Sequence, residues 1–225
     1  MTNNRDLRLR LPAEWERQDG ILIAWPHENT DWSYMLDEVT ECFTAIAKAI
    51  AAEEKLLVVA PDVEIPRACL SAAGVNMANV ILVTVPTNDT WARDFGPVSL
   101  LRDNRVVFCD FKFNAWGLKF AADKDNLITR NLYQKGALRG EYLNCLGFVL
   151  EGGSIESDGR GTLLTTSECL LSPNRNGEMS RDEIGRYLAD RFNLDKVLWL
   201  DHGYLAGDDT DSHIDTLARL APDDT

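Results

Sequence analysis

Three short apolar segments, each followed directly by a proline, constrain the fold of this chain most strongly. They are Ile21–Trp25 before Pro26, Leu56–Ala60 before Pro61, and Val80–Val85 before Pro86. Such segments are typical of buried strands, and proline ends a strand because it has no N–H to donate. Between the first two, apolar residues recur at the three- and four-residue spacing of a helix, with Asp31 or Ser33 as the expected cap. Strands alternating with helices predict the α/β class.

Further along the chain, paired strands joined by turns are predicted. Asp103-Asn104 lies between two apolar segments and predicts a hairpin, and Ser180 with Glu183 forms a capping box that opens a helix. The apolar segments of this region are Pro97–Leu101, Arg105–Phe111, Phe148–Leu150, Thr162–Thr165 and Val197–Leu200. The recurrence of strand, helix and strand pair indicates a repeated, blade-like unit. Because no linker rich in Gly, Ser or Pro divides the chain, residues 1–225 are predicted to form one domain.

The charge balance narrows the classes of partner. The chain has 36 acidic and 23 basic residues, a net charge of −13. Such a surface repels nucleic acid, whereas it attracts a cationic small molecule. No apolar run approaches the roughly 20 residues of a membrane-spanning helix, and the polar segment Met1–Arg10 does not have the pattern of a secretory signal. We therefore expect no membrane partner and a cytoplasmic location.

Five cysteines are scattered along the chain without a Cys-x-x-Cys pair. Their spacing predicts neither a zinc site nor a disulfide framework. Each lies among apolar residues, so we expect small buried side chains at Cys42, Cys69, Cys109, Cys145 and Cys169.

The first polar segment with chemical potential runs over residues 88–97, directly after a predicted strand. Trp91 and Asp94 offer an aromatic face and a carboxylate close together, which suits a planar cation. The alternative is a surface turn in which Asp94 and Arg93 simply pair. The sequence of this segment leaves both interpretations open.

Two further segments carry ionisable groups. Glu151 precedes Gly152-Gly153 after an apolar strand, so we expect it to be buried and to have a partner. His213 lies among carboxylates that are expected to raise its pKa and favour a protonated imidazole, and His-x-Asp on a strand would turn His213 and Asp215 to one face. A metal site is the rival interpretation, although no second His or Cys accompanies His213. A solvated acidic loop is another.

Taken together, the motifs identify a family. Trp-x-Arg-Asp-Phe-Gly-Pro begins at Trp91, Leu-Glu-Gly-Gly-Ser at Leu150, and Asp-Asp-Thr-Asp-Ser-His-Ile-Asp at Asp208. A fourth segment runs over residues 165–171 and leads into Asn174-Arg175-Asn176. The ordered set resembles agmatine deiminases and the related bacterial-type peptidylarginine deiminases, from about Leu11 to the end of the chain.

This resemblance implies an α/β-propeller of five ββαβ blades, the pentein-like fold, with the active site in its central channel. The chain would supply about three blades, so the deiminase domain over residues 1–225 is expected to be truncated at its C-terminus. A fragment of this kind would expose apolar sheet surface, and it is expected to be poorly behaved on its own.

The resemblance also implies a role for each site residue. Asp94 and Asp215 would grip the guanidinium, His213 would be the general acid and base, and Glu151 would hold that imidazole or share the substrate contact. Trp91 would wall the pocket. Asp209 stands where agmatine deiminases carry an acid for the distal amine. Many relatives have Glu there, and Asp is one methylene shorter.

By the same resemblance, the reaction converts agmatine to N-carbamoylputrescine and ammonia through a thiouronium on a cysteine, without metal or organic cofactor. None of the five cysteines matches the motif of that nucleophile, which lies later in longer relatives, so the 225-residue chain alone is expected to be inactive. Peptidylarginine or free arginine is an alternative substrate. A noncatalytic guanidine- or polyamine-binding protein is the alternative from another class, and homo-oligomerisation stays open.

Overall fold

The computed structural model describes residues 9–103 and 105–222. The strands are β1 (Gly20–Ala24), β2 (Lys55–Ala60), β3 (Val80–Thr84), β4 (Val98–Arg102), β5 (Arg105–Lys112), β6 (Glu141–Val149), β7 (Glu156–Ser157), β8 (Thr162–Thr166) and β9 (Lys196–Leu200). The helices are α1 (Leu36–Glu53), α2 (Glu64–Ala72), α3 (Ala92–Phe95), α4 (Ala115–Leu118), α5 (Ile128–Gln134), α6 (Ser167–Leu170), α7 (Pro173–Asn176) and α8 (Arg181–Phe192). None of the helices in these ranges has the length and apolarity needed to cross a bilayer.

The first three strands form one parallel sheet in the order β1-β2-β3. Ile21 pairs with Leu56, and Leu56 pairs with Val80. Parallel neighbours need a crossover connection, which α1 and α2 provide. The strands predicted from the three proline-ended segments, and the helix predicted between the first two of them, are therefore confirmed.

The other two sheets repeat a different pattern, an antiparallel pair followed by a parallel strand. Their orders are β4-β5-β6 and β7-β8-β9. The predicted pairing of β4 with β5 is confirmed, and Asp103 begins their turn with a φ of 47°. The predicted turn residue Asn104 lies outside the described residues. The α/β class and the recurrence of antiparallel strand pairs are thus as expected from the sequence.

The described residues separate into two compact units. The single domain expected from the sequence stays a prediction. Of the described residues, 17–92 and 122–138 form one unit, and 9–16, 93–103, 105–121 and 139–222 form the other. We call them the parallel-sheet unit and the mixed-sheet unit. Each has its own apolar core: Trp25, Leu56 and Leu70 are fully buried in the first, and Leu163 and Phe192 in the second. Separate cores of this kind are what define compact units.

Local start and stop signals of the helices were predicted with mixed success. The capping box of α8 is present: the Ser180 hydroxyl accepts from the Glu183 N–H, and the Glu183 carboxylate accepts from the Ser180 N–H. The cap predicted for α1 is wrong. A 3₁₀ turn, Ser33–Met35, precedes this helix, and its N-terminus has no side-chain cap. Asp37 in the first turn of α1 instead offers negative charge to the helix dipole.

The cysteine expectation holds for three of the five thiols. Cys109, Cys145 and Cys169 are buried. Cys42 is exposed and Cys69 is only partly buried, so the expectation was wrong for these two. Both lie on the outer flanks of amphipathic helices, where neighbouring apolar letters in the sequence do not imply burial.

In the parallel-sheet unit, Asp125 clamps the loop that follows β3. Its carboxylate accepts from the N–H groups of Asn88 (2.6 Å) and Asp89 (3.1 Å), while the Asn88 side-chain oxygen accepts from the Asp125 N–H (3.0 Å). Burial raises the pKa of Asp125 to about 7, against the opposing effect of those two N–H donors. The segment that leads to Trp91 is therefore held by a reciprocal side-chain clamp.

This raised pKa makes stability depend on pH. A carboxyl whose pKa is higher folded than unfolded stabilises the protein below the unfolded pKa, and that contribution is lost as pH rises through about 7. Between pH 5 and pH 8, urea unfolding should show wild type losing about 2 to 3 kcal/mol relative to Asp125→Asn. Asp19→Asn, the same charge change at an exposed site, is the control. A difference between wild type and Asp125→Asn that does not vary with pH would contradict this.

Candidate active site

Asp94 lies in α3 and is buried in the mixed-sheet unit. Its Oδ2 accepts from the Trp116 Nε1–H (3.0 Å), and its Oδ1 accepts from the Gly153 N–H (2.9 Å). Burial raises the pKa of Asp94 in spite of these donors. Arg93 does not pair with it but forms an ion pair with Glu14 at 2.7 Å. The alternative of a simple Asp–Arg surface turn is therefore not what this structure contains.

Trp116 was not identified from the sequence, and its backbone explains why. Residues Ala115–Leu118 form a left-handed turn in which Trp116 has a φ of 55°. Each non-glycine residue in this conformation costs roughly 1–2 kcal/mol. The Asn114 side chain stabilises the turn by accepting from the Gly117 N–H (3.0 Å) and donating to the Asn174 carbonyl (2.8 Å). Strain held in this way often accompanies a functional site.

Glu151 is fully buried, and its partner is Arg175, as the sequence predicted for a buried carboxylate in need of one. The Arg175 Nε–H donates to both Glu151 oxygens, at 2.9 and 3.1 Å, and neither side chain is exposed. Burial raises the pKa of Glu151, which the Arg175 guanidinium opposes. Because Arg remains protonated, we assign the pair as two ions.

His213 is buried, and the sequence-based prediction of a raised pKa is wrong. Burial lowers the pKa of His213 to about 4, and the Asp215 carboxylate opposes this without reversing it. Its Nδ1 lies 3.5 Å from Asp94 Oδ1, while its buried Nε2 has no hydrogen-bond partner among the described residues. Sequence neighbours suggested an imidazolium, but desolvation of the ring outweighs their charges.

Asp215 lies near His213, as predicted, but the backbone between them is not the predicted strand. Residues Ile214–Thr216 form a 3₁₀ turn rather than a strand, so the expected alternation of strand faces does not apply. Asp215 is half-buried, and burial raises the pKa of its carboxyl, with the nearby Asp94 adding to this effect and His213 opposing it. The two side chains nevertheless converge.

Gly153 marks the point of convergence. A Cβ placed on Gly153 would lie 2.6 Å from His213 Nδ1, 2.7 Å from Asp215 Oδ2 and 2.7 Å from Asp94 Oδ1. Real Cβ atoms do not approach other atoms so closely, so only glycine leaves room for these three side chains. A Gly-Gly pair in a sequence is typical of a turn, and the close packing at Gly153 adds a second reason for glycine there.

Proton binding at His213 offers a direct test of this geometry. The imidazole NMR signals of His213, assigned by their absence in His213→Asn, are expected to titrate with a midpoint near pH 4. Because an unfolded histidine titrates near 6.5, the folded protein should also lose stability as pH falls from about 6.5 towards 4. A midpoint at or above 6.5 would show that the ring is not desolvated in this way.

The family resemblance also predicts Asp209 and Trp91 as substrate-binding residues. Asp209 is exposed, and its carbonyl oxygen accepts from Lys119 Nζ at 2.6 Å. Trp91 belongs to the parallel-sheet unit, where its ring lies 5.9 Å from that of Trp32. Trp32 itself donates to the Thr90 hydroxyl (3.0 Å). The roles expected for Asp209 and Trp91 stay predictions.

Cys169 lies beside the cluster, which its sequence context did not indicate. Potential ligand atoms of Glu151, Cys169 and His213 all lie within 4.8 Å of one another. Arg175 already presents its cation to Glu151, and burial raises the pKa of the Cys169 thiol well above its usual range. Three potential ligands among the described residues, one of which already faces a guanidinium, fit an ion-pair network better than the four-ligand set of a structural zinc site.

The chain is similar to known proteins over most of its length. Residues 10–225 match the family model of the Porphyromonas-type peptidyl-arginine deiminase. Agmatine deiminase of Ectopseudomonas mendocina is 38% identical over 219 residues, covering 91% of this chain and 56% of the relative. This chain thus spans little more than half the length of that relative.

Solved structures agree in fold. A putative arginine deiminase from Porphyromonas gingivalis matches with a TM-score of 0.87 and 50% identity over 95% of this chain and 63% of the other. A cysteine-to-serine variant of C. jejuni agmatine deiminase with substrate bound matches with a TM-score of 0.84 and 36% identity, over 95% and 62%. The chain therefore shares the α/β fold of these deiminases and belongs to the Porphyromonas-type peptidyl-arginine deiminase family.

Proposed function

We propose that the protein hydrolyses a guanidino group with release of ammonia, and that agmatine, giving N-carbamoylputrescine, is the substrate. The observation that carries the proposal is the convergence of Asp94, Asp215 and His213 around Gly153. Two carboxylates at one point suit a planar cation with several N–H donors. The family relationship supports the same chemistry. The chain contributes the guanidinium-binding and proton-transfer groups.

Binding of the guanidinium follows from the state of the carboxylates. Burial raises the pKa values of Asp94 and Asp215, which means that each carboxylate is poorly compensated in the unliganded protein. A bound guanidinium supplies the missing positive charge and favours the ionised form of both groups. Affinity is therefore expected to fall as pH drops and the two groups protonate.

The lowered pKa of His213 changes the expected order of proton transfers. A neutral imidazole first accepts the proton of the cysteine thiol that the family resemblance implies. The thiolate then attacks the guanidinium carbon, and the imidazolium gives its proton to the departing nitrogen, which leaves as ammonia. Neutral His213 next removes a proton from water, hydroxide adds to the thiouronium carbon, and the C–S bond breaks to release the thiolate and a protonated ureido product. That product gives its extra proton to the released ammonia, which becomes ammonium, and the imidazolium returns its proton to the thiolate.

Glu151 supports these proton transfers from beside His213 without taking part in them. With Arg175 neutralising it, the carboxylate remains in the protein interior beside the imidazole without adding net charge. We assign to Glu151 the holding of the imidazole, the first of the two roles implied by the family resemblance. A cytoplasmic location and homo-oligomerisation stay predictions from the sequence and the family.

One observation favours arginine as a second candidate substrate. Lys119 Nζ contacts the carbonyl oxygen of Asp209 (2.6 Å) and the carboxylate of Asp211 (2.5 Å). An ammonium group at the residue expected to bind the distal amine would repel that amine and attract the carboxylate of arginine. The P. gingivalis relative described as an arginine deiminase points the same way.

Calorimetric titration of the 225-residue chain separates these possibilities. Agmatine, arginine and putrescine, which has amines but no guanidino group, are titrated at pH 7.5. We expect agmatine to bind at least about tenfold more tightly than putrescine, because only the guanidinium can use both carboxylates. Tighter binding of arginine than of agmatine would select the second candidate. Equal binding of agmatine and putrescine would contradict a guanidino site, and guanidine binding without product formation in any longer form would indicate a noncatalytic binder.

A further inference from the structure

Arg175 is the most connected buried charge in the described part of the mixed-sheet unit. Besides Glu151, its guanidinium donates to the carboxylate of Asp211 (2.6 Å), the carbonyl of Thr210 (2.8 Å) and the carbonyl of Cys169 (3.4 Å). Its side chain is not exposed to solvent. A planar guanidinium with five N–H donors can make these contacts together, whereas an ammonium cannot.

Arg175 contacts Thr210 and Asp211 in a turn whose backbone conformation is strained. Asp211 and Ser212 have φ values of 62° and 60°, a conformation that disfavours residues other than glycine. His213 follows directly, and its N–H donates to the Thr210 hydroxyl (3.1 Å). The placement of the imidazole thus depends on a strained backbone that its neighbours must hold.

Other contacts support the turn from its outer side. The Asp208 carboxylate accepts from the N–H groups of Thr210 (2.9 Å) and Ser212 (2.6 Å). Lys119 binds the other oxygen of Asp211, so this carboxylate joins two cations. Burial alone would raise the pKa of Asp211, but Lys119 and Arg175 outweigh it and hold that pKa below its usual range.

We propose that Arg175 is a positioning residue for the acid–base group: by binding Glu151, Thr210 and Asp211 at once, it holds the strained turn that places His213 beside Asp94. Arg175 itself contacts neither substrate nor reacting atoms in this assignment. The proposal rests on the proposed function only for the role of His213 in catalysis. Its structural part, the control of the imidazole by Arg175, stands on the contacts alone.

The test replaces Arg175 by lysine, which keeps the positive charge near Glu151 but cannot span all three partners. Arg10→Lys is the matched control, because Arg10 forms a forked ion pair with Glu16 elsewhere in the same unit. In Arg175→Lys, the NMR titration midpoint of His213 is expected to rise by about one pH unit or more, as the turn relaxes and water reaches the ring. Agmatine affinity is expected to fall about tenfold. Arg10→Lys should change neither.

A purely structural role would lower the thermal stability of Arg175→Lys yet leave the His213 midpoint and agmatine affinity as in Arg10→Lys, and this result would overturn the proposal. If Arg175→Lys does not fold, Asp211→Asn decides, since it removes the charged link to the turn without changing volume. Loss of the Asp211 carboxylate by itself lowers the His213 pKa, so the readout for this variant is hydrogen exchange of the His213 N–H, which donates to the Thr210 hydroxyl. Its exchange must become at least about tenfold faster than in wild type as the turn loosens, and an unchanged rate would equally overturn the proposal. If wild type does not bind agmatine, the proposed function fails, but the His213 titration still decides the role of Arg175.

Discussion

Gly153→Ala is expected to abolish guanidine binding, with a loss of agmatine affinity of about 100-fold or more. The new methyl group would occupy the point where His213, Asp215 and Asp94 meet, at 2.6 to 2.7 Å from an atom of each. At least two of these side chains must leave the position in which they face a common ligand. Overpacking of this kind also costs roughly 1–3 kcal/mol of folding stability.

The control for this substitution is Gly185→Ala in α8 of the same unit. A Cβ at Gly185 meets no atom within 4 Å, and alanine in a helix interior stabilises by roughly 0.5–1 kcal/mol relative to glycine. Calorimetric titration with agmatine and urea unfolding are measured on both variants. Agmatine binding by Gly153→Ala at wild-type affinity would mean that the three side chains do not share a ligand.

Rules that act over a few residues predicted much of the fold. Pro26, Pro61 and Pro86 ended three strands because a residue without an N–H cannot continue a ladder. The pairing of Ser180 with Glu183 needs only a three-residue spacing and is present as predicted. These features depend on neighbours in the chain, so the sequence contains all the information that they require.

Neighbouring residues in the sequence do not predict the partners and pKa values of the site residues. The sequence indicated that Glu151 needs a partner, but the choice of Arg175, 24 residues later, depends on how α7 packs beside β6. The pKa of His213 was predicted in the wrong direction because nearby letters reveal charge but not burial. Desolvation is a property of the whole packed unit, and it outweighs the carboxylates here.

The conformation of Trp116 is even harder to predict from sequence, because local backbone preferences oppose it. Ala115, Trp116 and Leu118 all disfavour a positive φ, so no local rule predicts a left-handed turn at this point. The turn exists because Asn114 bonds to it and because Trp116 gains a buried carboxylate as acceptor. Such conflicts between local preference and structure are expected at functional sites.

Asp94→Asn tests the carboxylate that Trp116 and Gly153 hold. The substitution removes the charge that faces a guanidinium, and its amide group must present N–H donors where the protein already donates from Trp116 or Gly153. Agmatine affinity at pH 7.5 is expected to fall by about 100-fold, as for the loss of one member of a buried charge pair. Asp103→Asn, at the exposed β4–β5 turn, makes the same change in net charge and is expected to bind agmatine as wild type does.

Relative to wild type, Asp94→Asn should gain folding stability as pH rises, whereas its agmatine affinity should fall further behind that of wild type. The pKa of Asp94 is raised by burial, so its contribution to stability is present below the unfolded pKa near 4 and is lost as pH rises through the folded value. The neutral asparagine does not incur this loss, and the variant should therefore gain stability relative to wild type as pH rises. Urea unfolding across pH 4 to 8 measures the difference. A variant that loses both affinity and stability, with no dependence of either on pH, would mean that Asp94 holds the fold together rather than a cationic ligand.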